Sequence, residues 1–461
     1  MAPKWAPRTL PRMYHFLGGR RRAAIVLAGT LTGSLLTFGV VSTGAAAQAP
    51  PSSPSSSPSA PAHYRGSATW SQSWVCGQPA AGDAACDAIL LTPDSTTASA
   101  MANATAPSTT PGCAFTPVAT QNGYGPCDLQ SAYNLLTASA TDGSSRTVAI
   151  VDAFNDPDAA SNLSTYRANY GLPACTTTSG CFKQVSQTGT TTLPRNNASW
   201  SQEISLDLDM VSATCPLCDI VLVEARSASQ ANLAAAANEA SKLGVVAISN
   251  SYGGSESTRE ASYDTDYHHA GIAVTASAGD SDYGVEYPAA SPFVTSVGGT
   301  SLSTAVNARG WTETVWGPTT GGVADEGTGS GCSTVEPQPK WQTALGLPAG
   351  CSKRIVADVS AVANPYTGVA VYDSFAYQGS SGWLVFGGTS VASPLVASVY
   401  ALSGVTTGSG ASIAYKHPSD LFDVTSGTNS SSGCTPAYLC TAEVGYDGPT
   451  GLGTPDGTGA F

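Results

Sequence analysis

Charged residues make up only 11% of this 461-residue chain, and the basic ones are scarcest: 19 Lys and Arg stand against 32 Asp and Glu, a net charge of −13. That balance excludes nucleic acid and anionic membrane surfaces as partners, because both need clustered Lys and Arg. Few charges, together with 49 glycines and 30 prolines, exclude long charged helices and favour many loops and turns. Histidine is scarcer still: there are five, with none between residues 64 and 267. Apart from one N-terminal stretch, no run is long and apolar enough to span a bilayer. No internal repeat is visible. A chain with so few basic groups has few ion pairs to lose at low pH, which fits acid tolerance.

The one long apolar stretch, Ala23 to Val41, follows Arg20, Arg21 and Arg22, and Ala47-Gln48-Ala49 offers small residues where a signal peptidase reads. Residues 1–49 therefore read as an export signal; left uncleaved, the segment would anchor the chain in a membrane. Residues 50–118 read as a Pro/Ser/Ala-rich linker and a short pro-like segment, irregular from 62 onward. Twelve cysteines follow the signal. They lie close in sequence as Cys76 with Cys86, Cys113 with Cys127, Cys175 with Cys181, Cys215 with Cys218, Cys332 with Cys351 and Cys434 with Cys440. In an exported chain this reads as local disulfides. Zinc is the rival, prompted by Cys215 and Cys218, but no second ligand pair of matching spacing stands out.

Downstream, Thr147–Ala153 is an apolar run of the kind a buried parallel strand shows. Asp156-Pro157 reads as the cap of a helix reaching Tyr170. Ile220–Glu224, Val245–Ser249 and Ile272–Ser277 read as strands, and Ala231–Leu243 as a helix ended by Gly244. Alternation of this kind predicts an α/β fold, a mostly parallel central sheet with helices on both faces. Sites in such sheets lie beyond the carboxyl ends of the strands.

Gly387-Gly388-Thr389-Ser390-Val391-Ala392-Ser393-Pro394 follows the apolar Trp383–Phe386 and precedes a helical run, Leu395–Leu402. Ser390 then sits at a helix N-terminus, where N–H groups favour negative charge. The competing reading is an ordinary Gly-rich turn, but the segment resembles the nucleophile segment of the subtilisin-like fold. A serine nucleophile needs a base, and no histidine stands where the subtilisin order requires one. On the helix that is left without one, Glu203 and Asp207 are i and i+4 and share a face. Like carboxyls so close repel, which favours a shared proton and splits their pKa values; a pair of solvated acids is the bland alternative. Asp280, in Ala278-Gly279-Asp280-Ser281, ends a strand where subtilisins carry an oxyanion-binding asparagine. An aspartate can donate there only when protonated; otherwise it is a Gly-Asp turn.

Glu203-Ile204-Ser205-Leu206-Asp207, Ser277-Ala278-Gly279-Asp280-Ser281 and the Ser390 segment, in this order, resemble the sedolisin family of serine-carboxyl peptidases. Tyr287–Pro292, Ser296–Thr300, Asp358–Ala361 and Gly445–Asp447 match it as well, so the resemblance covers residues 119–461. It implies a subtilisin-like fold and a secreted endopeptidase or tripeptidyl peptidase active at acid pH on a peptide or protein, working as a monomer. By motif, Ser390 is the nucleophile, Glu203 the base, Asp207 its support and Asp280 the oxyanion acid. The family's calcium site is matched by Asp423-Val424 and by Glu443, Gly445 and Asp447; all-oxygen ligation suits Ca2+, whereas the residues alone read as two Asp/Gly turns. Two departures stand out. Asp282 replaces a usual glycine, and the pro-segment is far shorter than the family's folded prodomain. Asp152, with no histidine beside it, reads as structural. The alternative function is a catalytically silent secreted binding or wall-associated protein with the same fold.

Overall fold

The computed structural model describes residues 70–93, 113–115, 118, 121–318, 326–347, 349–404 and 410–461; the export signal and most of the linker lie outside them. Residues 70–93, expected to be irregular, form three strands, β1 (Trp70–Trp74), β2 (Ala85–Cys86) and β3 (Ile89–Pro93). β1 folds back antiparallel on β3, Trp74 opposite Ile89. The apolar run Ile89–Leu91 is too short to announce a strand; its partners, distant in sequence, make it one.

The predicted apolar runs become the core of the main sheet: β4 (Thr147–Ala153), β5 (Phe182–Ser186), β6 (Asp219–Ala225) and β7 (Ala247–Asn250). β8 (Tyr252–Ser255) comes straight after β7, and β9 (Ala273–Ser277) extends the sheet. Next come the short β10 (Ser281–Tyr283) and β11 (Glu286–Tyr287), then β12 (Thr295–Thr304) and β13 (Trp311–Val315). After them come β14 (Gly327–Pro337), β15 (Lys353–Val356) and β16 (Val359–Val362). β17 (Val369–Tyr377) and β18 (Ser380–Gly387) form a hairpin. The main sheet runs β13-β12-β9-β7-β4-β6-β5, with β16 also on β12. Its pairings are parallel except β12 with β13. Its central strands are buried along nearly their whole length, which is why they read as continuous apolar runs rather than alternating ones.

Helices α1 (Ala159–Asn169), α2 (Ala198–Thr214), α3 (Gln230–Ala240) and α4 (Thr389–Ser403) pack around it. α1 starts later than the Asp156-Pro157 signal indicates, because the Asp156 Oδ1 accepts the Asp158 N–H at 2.8 Å in a turn ahead of the helix. α2 is capped by Asn197, whose Oδ1 accepts the N–H groups of Ser199 and Trp200. From Trp200 to Thr214 it is buried all round, packed against α4, β4 and β17. Its acids are therefore carried into the interior. Two smaller sheets take up the N-terminal strands: β1-β3-β18-β17 and β11-β8-β2. The twelve cysteines form the six sequence-adjacent pairs. Among the described residues no helix is long and apolar enough to cross a membrane.

Arg354 and Asp358 form an ion pair with both side chains fully buried. Asp358 also accepts the Ser296 N–H at 2.8 Å and the Tyr415 hydroxyl at 3.0 Å, so the pair ties β12 to the loop between β15 and β16. Removing one partner leaves the other charge buried and alone. Asp358→Asn should therefore lower unfolding stability by about 3–5 kcal/mol in urea titration; a loss under about 1 kcal/mol would show that the charge is not confined.

Candidate active site

Three carboxyl groups meet at the carboxyl end of the main sheet. Glu203 and Asp207 come from successive turns of α2, and Asp152 from the end of β4; their oxygens lie within 4.8 Å of one another, and all three side chains are buried. Burial, which penalises the charged form, pushes the Glu203 carboxyl well above its ordinary range, and the neighbouring Asp207 and Asp152 push further. Burial and Asp152 do the same to Asp207, and Asp152 itself is raised to about 8. No basic side chain contributes to any of these shifts, so the cluster satisfies itself by holding protons. Asp152 reads as structural in the sequence; the fold makes it the third member. The apolar run around it reads as plain core, and only the parallel pairing of β4 with β6 and β7 brings its end to the crevice.

Ser390 is the second residue of α4, which begins at Thr389 rather than at Leu395. Its hydroxyl lies beside Glu203 and lowers that carboxyl's pKa. The well-formed hydrogen bond from the Ser390 Oγ, however, runs to the Ser251 carbonyl at 3.2 Å, just after β7. The Ser390 backbone N–H, one of the unpaired donors of the helix start, donates to the Asp87 carbonyl at 2.9 Å. Gly388 has φ +102°, and a methyl group on it would come within 2.2 Å of the Asp87 carbonyl oxygen and 2.5 Å of Asp280 Oδ2. Only glycine lets the three groups converge.

Asp280 follows β9 and is fully buried. Its Oδ1 accepts the Thr389 N–H at 2.7 Å and the Thr389 hydroxyl at 2.8 Å, while Oδ2 has no partner. Burial raises its pKa well above the usual range, the Thr389 bonds oppose this, and Glu286 and Glu326 add to it. Read from the sequence, Glu203, Asp207 and Asp282 would be the charges that raise it; in the fold Glu286 and Glu326 do so. A protonated Oδ2 turned toward Gly388 is a hydrogen-bond donor in a site otherwise short of donors.

Residues 188–407 match the subtilase family (Peptidase_S8). The chain is 31% identical over 367 residues to kumamolisin from Bacillus sp. (strain MN-32), covering 72% of this chain and 62% of kumamolisin. It is 35% identical over 188 residues to sedolisin from Pseudomonas sp. (strain 101), covering 38% of this chain and 30% of that protein. A solved Pseudomonas sedolisin, a serine-carboxyl proteinase complexed with two molecules of pseudo-iodotyrostatin, superposes with a TM-score of 0.59 at 26% identity, over 73% of this chain and 96% of that one. By these matches the chain is similar to the sedolisins in sequence and in fold. It spans 62% of the length of kumamolisin.

The sedolisin-type departure at Asp282 has a backbone cause. Its φ is +58°, the left-handed region that glycine enters freely and aspartate tolerates better than most residues. Beside it, Glu286 on β11 lies across β8; a methyl on Gly253 would strike its carboxylate, and burial lifts that group to about 7.

The sedolisin calcium pattern falls on two C-terminal segments, Asp423-Val424 just after Phe422 and residues 443–447. Asp447 is buried; its Oδ1 accepts the N–H and hydroxyl of Thr450 at 2.9 and 2.8 Å, and its Oδ2 the Glu443 N–H at 3.1 Å. Asp423 Oδ2 accepts the Gly445 N–H at 2.9 Å. The backbone groups touching the two carboxylates are thus the N–H groups of Thr450, Glu443 and Gly445 rather than the carbonyls the resemblance implies, and Val424 is buried beside Asp423. Burial raises Asp447 to about 7, and Asp423 is near enough to add to it. Among the described residues neither acid is in an ion pair with a Lys or Arg. Two neighbouring carboxylates with no Lys or Arg partner among the described residues are the part of the pattern that fits a hard divalent ion.

The buried acids set the pH dependence of folding. In the native state Asp152 titrates near 8, Glu286 near 7 and Asp156 near 6, against about 4 when unfolded. The native chain therefore holds more protons between these limits, and its stability falls as pH rises. The melting temperature should be highest near pH 4 or below and decline through about pH 8. Glu203→Gln, which removes one such group, should make that decline shallower; a melting temperature that climbs from pH 4 to 8 would contradict the protonated cluster.

Proposed function

We propose that the protein is a secreted serine-carboxyl peptidase that hydrolyses peptide bonds at acid pH through an acyl-enzyme on Ser390, as an endopeptidase or tripeptidyl peptidase. The observation that supports it most is the meeting of three parts at one point. Glu203, in its buried carboxyl cluster, lies beside the Ser390 hydroxyl, and the partnerless Asp280 Oδ2 faces the turn that starts the Ser390 helix. Six disulfides support export.

In this reading Ser390 Oγ attacks the substrate carbonyl carbon and its proton passes to Glu203, which Asp207 and Asp152 hold in place. The negative oxygen that develops is met by the Ser390 N–H and by the protonated Asp280. As the C–N bond breaks, Glu203 returns the proton to the leaving amine. Water then attacks the ester, giving its proton to Glu203, and the serine leaves with that proton restored. The cluster of Asp152, Glu203 and Asp207 must give up the first of its protons, so that Glu203 can carry the charge, while Asp280 keeps its own; the rate is then bell-shaped in pH, and its limbs belong to coupled groups. Ca2+ held by Asp423 and Asp447, with the segments at Val424, Glu443 and Gly445, would neutralise two adjoining carboxylates and brace the C-terminal segments.

Glu203→Gln and Ser390→Ala should each abolish cleavage of a peptide library at about pH 4 while the fold is retained. The wild-type maximum should lie between about pH 3 and 6. Asp280→Asn keeps a donor at every pH, so its basic limb should move upward or vanish at some loss of peak rate. A wild-type maximum near pH 8, where free aspartate is fully ionised, would remove Asp280 from its role. Calcium at one hundred times its Kd should stabilise the fold by about 2.7 kcal/mol; a melt indifferent to chelator would remove the ion.

A further inference from the structure

Two exposed arginines stand beside the acidic cleft, on segments that flank the helix carrying Glu203. Arg226 directly follows β6, and Arg195 comes two residues before Asn197, the cap of α2. Both segments are tied to the turn after β4, two residues beyond Asp152. The Phe154 N–H donates to the Ala225 carbonyl at 2.7 Å, and the Asn155 N–H donates to the Arg195 carbonyl at 3.1 Å. The Arg195 guanidinium lies 4.5 Å from the centre of the Phe154 ring, a contact that holds it in place without cancelling its charge. The Phe154 ring meets Trp200 at 6.4 Å, and Trp200 meets Tyr252 of β8 at 6.5 Å. A row of rings thus runs from Arg195 to β8, with Trp200 one turn before Glu203. Among the described residues neither arginine is in an ion pair.

Arg226 lines a cavity of about 310 Å³, together with Gln187, Thr192, Leu193, Pro194 and Glu224. Its walls are fixed by Gln187, whose Oε1 accepts the Arg226 N–H at 2.6 Å and whose own N–H donates to the Glu224 carbonyl at 2.9 Å. Glu224 is the one acid in the lining. Its Oε1 accepts the Gln184 Nε2 at 2.8 Å and the Asp156 N–H at 3.2 Å. Burial outweighs these bonds and raises it to about 8, with Asp156 and Asp152 adding to the rise. Burial also raises Asp156 to about 6, with Asp158 near it in the turn before α1. Glu239 of α3, which reaches the same loop at Gly189, is paired with Lys242 at 2.9 Å. At about pH 4 to 5, then, Glu224 and Asp156 hold their protons, and Arg226 leaves the cavity positive.

The loop after β6 and the strand β8 are walls between which an extended peptide fits. Residues 82–87 of the chain show the fit. The Gly82 carbonyl accepts the Gln230 N–H at 3.0 Å, the Ala84 N–H donates to the Ala228 carbonyl at 2.8 Å, and Cys86 lies opposite Tyr252. A substrate held in this way, with its scissile carbonyl at the start of the Ser390 helix, passes the Arg226 loop with the second to fourth residues ahead of the cut. We propose that the Arg226 cavity, with Arg195 at its rim, is a substrate subsite that takes an acidic side chain from one of those residues. This rests on the serine-peptidase reading above and names its substrate class: proteins or peptides with Asp or Glu shortly ahead of the cut. The guanidinium fork matches a carboxylate. A Lys or Arg side chain in the same place meets like charge, so the subsite also selects by repulsion.

The test starts from a library peptide that the full chain cuts at one bond, remade with Glu, Gln or Lys at the second, third or fourth residue ahead of that bond. At about pH 5.5, where a free Glu is mostly ionised, kcat/KM should fall from Glu to Gln to Lys at one of these positions. Each step should be about threefold to fivefold and lie mainly in KM. At about pH 3, where a free Glu is mostly neutral, Glu and Gln peptides should be cut alike while Lys stays the poorest. Raising the salt to about 0.5 M should narrow the order. Arg226→Gln should remove most of it, and Arg226→Lys should keep it in part. The ratios are taken within each variant, so they do not depend on how much of a preparation is folded. Equal rates for Glu and Gln peptides at all three positions at about pH 5.5 overturn the proposal and leave the peptidase reading standing. So does an order that survives Arg195→Gln combined with Arg226→Gln. A chain that cuts no peptide of the library overturns both.

Discussion

Burying carboxyl groups without cations is the constraint on which the rest of this structure depends. Asp152, Glu203 and Asp207 lie together in the interior, Asp280 a short way off, and among the described residues none has a basic partner. In water each would be ionised at neutral pH; inside, each ionisation costs desolvation and repels the next. The native state is therefore a proton-rich state. A chain with 19 basic residues, few of them placed to neutralise anything buried, suits that arrangement. The fully buried ion pair of Arg354 with Asp358 stands outside the cluster and serves the joint between β12 and β16.

The same economy of donors explains the geometry around Ser390. At a helix start a few N–H groups are unpaired by construction, and Gly388 lets a carbonyl approach them where any side chain would block it. Asp280 supplies a second donor only while it keeps its proton. Glu286 and Glu326, which the fold brings near from β11 and from the start of β14, help it to do so. The acid-pH chemistry proposed for the site would thus be a property of the neighbourhood and not of any one residue.

The N-terminal strands give the cleft an occupant from the same polypeptide. β2 and β3 complete sheets that would otherwise end in open edges at β8 and β18, and open edges invite pairing. Here the edge is covered by the chain's own residues. Residues 84–88 lie across the start of the helix that carries Ser390, where the Asp87 carbonyl accepts the Ser390 N–H.

Much of the fold is legible in the chain alone. The buried parallel strands announce themselves as continuous apolar runs, and the turn at Ser390 by its glycines. The disulfides are legible because each pair is close in the chain. Local signals of this kind survive because strand burial, helix periodicity and turn geometry are written in neighbouring residues. Asp152, Glu286, Glu326 and the strands β1 to β3 are not legible. Each gains its meaning from partners that sequence separates by tens or hundreds of residues. The sequence by itself determined which residue types were available and where the strands and helices would form. Only the tertiary structure decided which acids would share protons, and that Asp87 would face Ser390. Those choices depend on burial and on distances across the sheet, which no local pattern encodes.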